Sequence, residues 1–127
     1  MKTLFLTLAF SVAAFGTNPV INGQTIFSDS APTLTECGTS PIVATGGTSN
    51  GATITIGTDS TRPGAPTEGI RSCTLTFATA FTNPPVVGLS VLFLRGTTCT
   101  IGLLSTTVMR VNCDANMSGQ KFSFVAF

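Results

Sequence analysis

Few side chains of this sequence have the chemistry that catalysis requires. The chain contains no histidine, so a serine, threonine or cysteine nucleophile would lack its most common partner base. The five carboxylates fall in turn or loop contexts and form no recognisable acid–base pair: Asp29, Glu36, Asp59, Glu68 and Asp114. The sequence also contains no P-loop, dinucleotide-binding fingerprint or calcium-binding loop. We therefore expect a protein that is not an enzyme, with no catalytic residues and no cofactor.

The other reactive groups are four cysteines, at positions Cys37, Cys73, Cys99 and Cys113. No pair has Cys-x-x-Cys spacing and no histidine could complete a zinc site, so we expect no metal centre. Disulfides would suit an extracellular or particle-borne protein, whereas buried free thiols are the alternative interpretation. We favour disulfides, with Cys99 and Cys113 as the first pair, because they would join neighbouring strands across Thr106 and Thr107. Four cysteines allow three pairings, so the connectivity stays open.

The chain is unusually poor in charge. Only 9% of its 127 residues are charged, against about 25% in an average soluble domain, and the net charge is +1. The six basic residues are scattered, so no patch could neutralise nucleic-acid phosphates and we expect no nucleic-acid partner. The length fits one domain with a single core. Because a net charge near zero promotes association, the composition favours a homo-oligomer or an assembly subunit.

Alternating apolar and hydroxyl side chains predict half-buried β-strands. Ala52–Ile56 and Cys73–Phe77 both alternate with period two, which places one face in a core and the other in water. A shorter strand at Pro41–Ala44 precedes a glycine- and asparagine-rich connection that is typical of a hairpin. Thr98–Leu104 and Val108–Cys113 predict a second hairpin.

Two further segments complete the strand pattern. In Lys121–Phe127, three apolar residues share one face: Phe122, Phe124 and Ala126. The nearly unbroken apolar run Val86–Leu94 is either a central strand buried on both faces or a strand packed against another subunit. No helical pattern follows residue 16. The sequence therefore predicts an all-β fold, an antiparallel sandwich or a barrel of the jelly-roll type.

The first sixteen residues differ from the rest. Lys2 precedes an apolar run that ends at Gly16, which is typical of a secretory signal peptide. Alternatively, Thr3, Thr7 and Ser11 would form a hydroxyl stripe on a helix that docks on a neighbouring subunit. The run is too short to span a bilayer as a helix. We divide the chain into this segment (1–16), a linker with a short strand around Thr25 (17–32), and a β-domain (33–127).

A long loop runs from Gly57 to Gly69 and contains two prolines. The loop and its immediate border carry four charged residues: Asp59, Arg62, Glu68 and Arg71. Loops of this length in compact domains are often functional or make assembly contacts, so we treat these residues as a candidate contact loop. The alternative is a solvated surface excursion.

Several segments together resemble a known β-module. Cys37–Pro41, Gly51–Gly57, Cys73–Phe77 and Phe81–Val86 are similar to a small module found at the ends of bacteriophage tail fibres and related virion appendages. Ser118–Phe124 is similar to its closing strand. The resemblance covers about residues 33 to 127. It implies a virion structural protein that contacts other virion proteins, and no catalytic residue transfers with it.

Three functions follow as hypotheses. The first is a virion subunit, a homotrimer that decorates a capsid or terminates a tail fibre. The second is a fibre tip that binds host surface polysaccharide through the loop Gly57–Gly69. The third is a secreted bacterial β-sandwich cleaved after Gly16. The expected location is the virion, with a secreted protein as the alternative.

Overall fold

The computed structural model describes residues 20–25, 30–58, 69–92 and 97–127. These residues form ten β-strands and contain no helix. The strands are β1 (Val20–Ile21), β2 (Gln24–Thr25), β3 (Thr33–Thr35), β4 (Ile42–Val43), β5 (Gly51–Thr55), β6 (Ser72–Thr76), β7 (Val87–Leu92), β8 (Cys99–Leu104), β9 (Val108–Cys113) and β10 (Lys121–Ala126).

Eight of the strands form two antiparallel sheets that pack face to face. Sheet I has the order β3-β6-β9-β8, and sheet II has the order β4-β5-β10-β7. Every neighbouring pair is antiparallel. The predicted hairpins β4–β5 and β8–β9 stay within one sheet, whereas the remaining connections from β3 to β10 cross between sheets. The prediction of an all-β fold is confirmed, in its sandwich form.

The core lies between the sheets and follows the alternation of the sequence. Phe122, Phe124 and Ala126 of β10 are all buried, as their shared face predicted. They pack in one cluster with apolar residues of the opposite sheet, including Leu75 and Val111. Because successive side chains of a strand point to opposite faces, these positions are apolar while their neighbours are free to be polar.

The interpretation of Val86–Leu94 as a central, doubly buried strand is wrong. β7 covers Val87–Leu92 at the edge of sheet II, and its residues alternate between half-buried and exposed. Two of the outward positions are Gly88, which has no side chain, and Ser90, whose side chain is small and polar, so neither position requires burial. Residues 93 and 94 lie outside the described part of the chain.

Both disulfides lie in sheet I. Cys37, just beyond β3, bonds to Cys73 of β6, and Cys99 of β8 bonds to Cys113, its direct partner in β9. The expectation of disulfides is confirmed, and the free-thiol alternative is wrong. Each bond ties an edge strand of sheet I, or the segment that follows it, to an inner neighbour. Sheet II has no such link.

The N-terminal hairpin β1–β2 is fastened to the loop that precedes β7. Asn22 has a left-handed backbone (φ 50°) and donates its side-chain N–H to the Asn83 carbonyl at 2.9 Å. The Asn22 side-chain oxygen accepts the Asn83 N–H at 2.8 Å, and the fully buried Gln24 donates to the Thr79 carbonyl. The predicted strand around Thr25 thus ends the hairpin. Residues 1–16 lie outside the described chain, so both interpretations of that segment stay predictions.

Candidate interaction surface

The outer face of sheet II is built by the alternate residues that point away from the core. In β10 these are Lys121, Ser123 and Val125. The strand register places three rows across the face: Ile42, Thr55, Lys121 and Leu92; then Thr53, Ser123 and Ser90; then Gly51, Val125 and Gly88. In the middle row, the hydroxyls of Thr53 and Ser123 are 2.8 Å apart and hydrogen-bonded.

This face is apolar for a solvent-facing surface. It holds five of the large hydrophobic side chains that are well exposed: Ile42 (59%), Val86 (79%), Leu92 (59%), Val125 (49%) and Phe127 (49%). Val86 and Phe127 extend the β7–β10 ladder, because each donates its backbone N–H to the other's carbonyl. Among the described residues of these rows, Lys121 is the sole charged side chain. Thr55 and Lys121 separate Ile42 from Leu92, and the hydroxyl row separates both from Val125, Val86 and Phe127. Several large apolar side chains exposed on one face are a feature of interaction sites.

Two shallow grooves run along the outer face of sheet II, on either side of Val125. One, of about 320 Å³, is lined by residues of β7 and β10, among them Gly88 and Ser90. The other, of about 340 Å³, lies over β5 and β10 and includes Gly51. Gly88 and Gly51 are the residues opposite Val125 in the two neighbouring strands, and their missing side chains leave Val125 standing as a ridge.

The edge of sheet II at β7 is the second feature of this surface. Exposed strand edges are usually short, bulged, charged or covered, because their free backbone groups invite pairing. Three of the four sheet edges follow that rule: β3 has three residues, β4 has two, and β8 is bulged between Ile101 and Leu103. β7 has six residues in regular register and contains no charge or proline. Within the described chain it pairs with β10 alone.

The outer face of sheet I is polar in contrast. Arg110 Nη2 lies 3.2 Å from Glu36 Oε2, and Thr74 links the two side chains. The Thr74 hydroxyl accepts from Arg110 Nε at 3.1 Å and donates to the Glu36 carboxylate at 3.2 Å. The charged groups are largely solvated, so the pair contributes little, about 0–1 kcal/mol. We infer that the cluster orients the end of β3 against β6 and β9.

The sequence-predicted site residues are only partly described. Asp59, Arg62 and Glu68 of the candidate contact loop lie outside the described chain, so their role stays a prediction. Arg71 is exposed just before β6, and its backbone carbonyl accepts the Cys113 N–H. Sequence reasoning missed the apolar face of sheet II. The available signal was the outward position of Val125 and Phe127 in the alternating last strand.

The described residues contain no group of three or more His, Cys, Asp or Glu side chains placed to hold a metal ion. In the same part of the chain, no helix has the length and hydrophobicity that crossing a bilayer requires. The two disulfides are typical of proteins that mature in an oxidising, extracellular environment.

No family model matches the sequence, and neither a curated protein nor a solved structure does. The tail-fibre resemblance therefore depends on the sequence segments quoted above.

Proposed function

We propose that this chain is a structural subunit of an extracellular particle, in its specific form a bacteriophage tail-fibre, appendage or capsid-decoration protein. It acts through surface contacts rather than by turning over a substrate. The observation that carries the proposal is the outer face of sheet II, where the described residues include five exposed apolar side chains and one charged side chain, Lys121. Burying such a surface against another subunit stabilises an assembly by about 25 cal/mol per Å² of apolar area removed from water.

The disulfides support the extracellular part of this proposal. A subunit exposed on a particle meets oxidising conditions and gains stability from cross-links that a cytosolic protein would not retain. Tying the edges of sheet I also suits a protein that must stay folded outside the cell. The low net charge of +1 places little electrostatic repulsion between neighbouring copies.

The test is the location of the chain in particles from its source. An antibody against the purified domain should label isolated particles by immunogold electron microscopy, and the chain should band with them in a density gradient. Val125→Lys places a charge at the centre of the apolar face and should reduce incorporation. Thr100→Lys, at an exposed position of β8 opposite Asn112 in sheet I, is the control and should incorporate normally. Recovery of the chain solely as a free soluble protein would contradict the proposal.

A secreted β-sandwich is the second candidate, and the two disulfides favour it equally. The two hypotheses differ in the processing of residues 1–16. N-terminal sequencing of the native protein should give Met1 for a docked particle subunit and Thr17 for a secreted, matured protein. If the chain isolated from particles begins at Thr17, the virion hypothesis stands, but residues 1–16 cannot be a docking helix in the particle.

The proposal includes two more specific statements: the chain forms a homotrimer, and it binds a host surface polysaccharide. Light scattering of the purified protein should give three times the chain mass of 13.0 kDa if the assembly is a homotrimer. A glycan array would test host polysaccharide binding, with Arg62→Ala and Glu68→Ala as the loop variants. Equal glycan signals from the variants and the unaltered chain would reject the loop as the binding site.

A further inference from the structure

We propose that β7 is a self-pairing strand: two copies of this chain associate edge to edge through antiparallel β7 strands, with Leu89 on the two-fold axis. Their sheets II then form one continuous eight-stranded sheet. This inference goes beyond the proposed function and does not depend on it. For the purified protein it is an alternative to the homotrimer, and a mass of three chains would favour the homotrimer and reject the two-fold pairing.

The backbone hydrogen bonds of β7 show which of its N–H and C=O groups face the open edge. Val86 and Phe127 donate their N–H groups to each other's carbonyls, at 2.9 and 3.0 Å, which makes them a hydrogen-bonded pair. Hydrogen-bonded and non-hydrogen-bonded pairs alternate along an antiparallel ladder. The N–H and C=O groups of Val87, Leu89 and Val91 therefore point away from β10, to the open edge.

The side chains of β7 restrict the register. A one-residue slip would turn core-facing side chains outward, so paired residues must share a face. With Leu89 opposite Leu89 of the second copy, Val87 lies opposite Val91, and Gly88 lies opposite Ser90. All three edge-directed residues then meet an edge-directed residue of the other strand, which gives about six hydrogen bonds between the copies.

The exposed side chains at the two ends of β7 identify a second copy as the occupant. The same register places Val86 directly opposite Leu92 of the other copy, on the outer face. Val86 is 79% exposed and Leu92 is 59% exposed in the single chain. Because of the two-fold symmetry, this pair forms two times in the dimer, once at each end of the paired strands. A register centred on Ser90 would instead set Leu92 against Gly88 and leave Val86 without this partner.

Charge also favours a second copy over a charged partner. β7 carries no charge, so two antiparallel copies bring no like charges together. A charged strand from another protein could form an ion pair with Lys121 alone among the described residues in the rows of sheet II. The interface is one strand from each copy, so we expect weak association, with a dissociation constant of about micromolar.

The test uses charge pairs at Val86 and Leu92, which are exposed in the single chain and tolerate polar side chains there. Val86→Lys with Leu92→Lys sets like charges directly opposite each other twice per dimer. We expect the dissociation constant to rise at least about tenfold, measured by sedimentation velocity at micromolar concentrations. Val86→Glu with Leu92→Lys sets opposite charges together and should restore affinity to about that of the unaltered chain, with a new dependence on salt.

Both double variants have Lys at position 92, beside Lys121, so they differ solely in the sign of the side-chain charge at position 86. Circular dichroism should show both folded, and Thr100→Lys, opposite Asn112, is a control on the edge of sheet I. A single-chain mass of 13.0 kDa for the unaltered protein across the micromolar range would overturn the proposal. So would equal dissociation constants for the two double variants, which would assign the edge to a different partner or register.

Discussion

Removing the Cys37–Cys73 bond should destabilise the protein more than removing Cys99–Cys113. The first bond closes a loop of 36 residues and the second a loop of 14. In the chain-entropy treatment, these loops correspond to about 4 and about 3 kcal/mol of stabilisation through the unfolded state. The difference in packing acts in the same direction, because Cys37 and Cys73 are almost fully buried whereas Cys99 is half-buried.

The measurement is thermal unfolding, with denaturant unfolding beside it, of two paired variants, Cys37→Ala with Cys73→Ala and Cys99→Ala with Cys113→Ala. At about 4 °C per kcal/mol for a domain of this size, the midpoint temperatures should fall by about 16 and about 12 °C. The two loops do not overlap in the chain, so the losses should add. Their sum approaches the whole stability of a typical domain, about 5–15 kcal/mol, and the chain without either bond should be largely unfolded.

The reverse order would refute this reasoning. If the Cys99–Cys113 variant were the less stable of the two, loop entropy and burial would not be the controlling terms. The slope of free energy against denaturant serves as the internal check. Removing a cross-link lets the unfolded chain expand, so the slope should rise in both variants. A reduced slope would show that the compactness of one state or the two-state character of unfolding had changed, and the midpoint alone could not then be compared.

Three further changes have defined outcomes. Gly57→Ala places a Cβ in a clash with the Thr39 carbonyl oxygen, so the free energy of unfolding should fall by about 1–3 kcal/mol. Gly46→Ala meets no atom within 4 Å, so it tests the strain of a side chain on a left-handed backbone alone. Arg110→Met should cost less than about 1 kcal/mol in denaturant unfolding, since the ion pair is solvated; a larger loss would show a packing role for the side chain. Asn22→Gly keeps the left-handed backbone but loses both side-chain hydrogen bonds, and Asn22→Ala loses both features. Hydrogen exchange of the Thr82 and Asn83 amides should therefore accelerate in both variants, and more in the alanine variant; unchanged exchange would mean that the hairpin docks by other contacts.

Period-two alternation predicted most of the sandwich because it records which face of each strand meets the core. The segments Cys73–Phe77 and Lys121–Phe127 became β6 and β10 with the expected faces buried. The same rule failed for Val86–Leu94, because Gly88 and Ser90 are small enough to be exposed and yet hardly interrupt a run of apolar residues. An apolar run with small residues at every second position is compatible with an edge strand.

Only the part of the candidate surface on β10 had a sequence signal, because the rest of the surface depends on strand order. Val86 and Phe127 lie far apart in the chain, and they meet only because β7 and β10 are neighbours in sheet II. The pairing of Cys37 with Cys73 likewise depends on β3 lying beside β6. Cys99 and Cys113 could be paired from sequence because a single short hairpin joins them.

The Cys37–Cys73 bond closes a covalent ring that contains residues 57–69, the loop proposed to make contacts. A protease that cuts one peptide bond inside that ring leaves both fragments attached to each other. The nicked protein would migrate as one species on a non-reducing gel and as two after a thiol reagent is added. If the chain is the proposed particle subunit, a cut in this loop would not release any part of the protein from the particle.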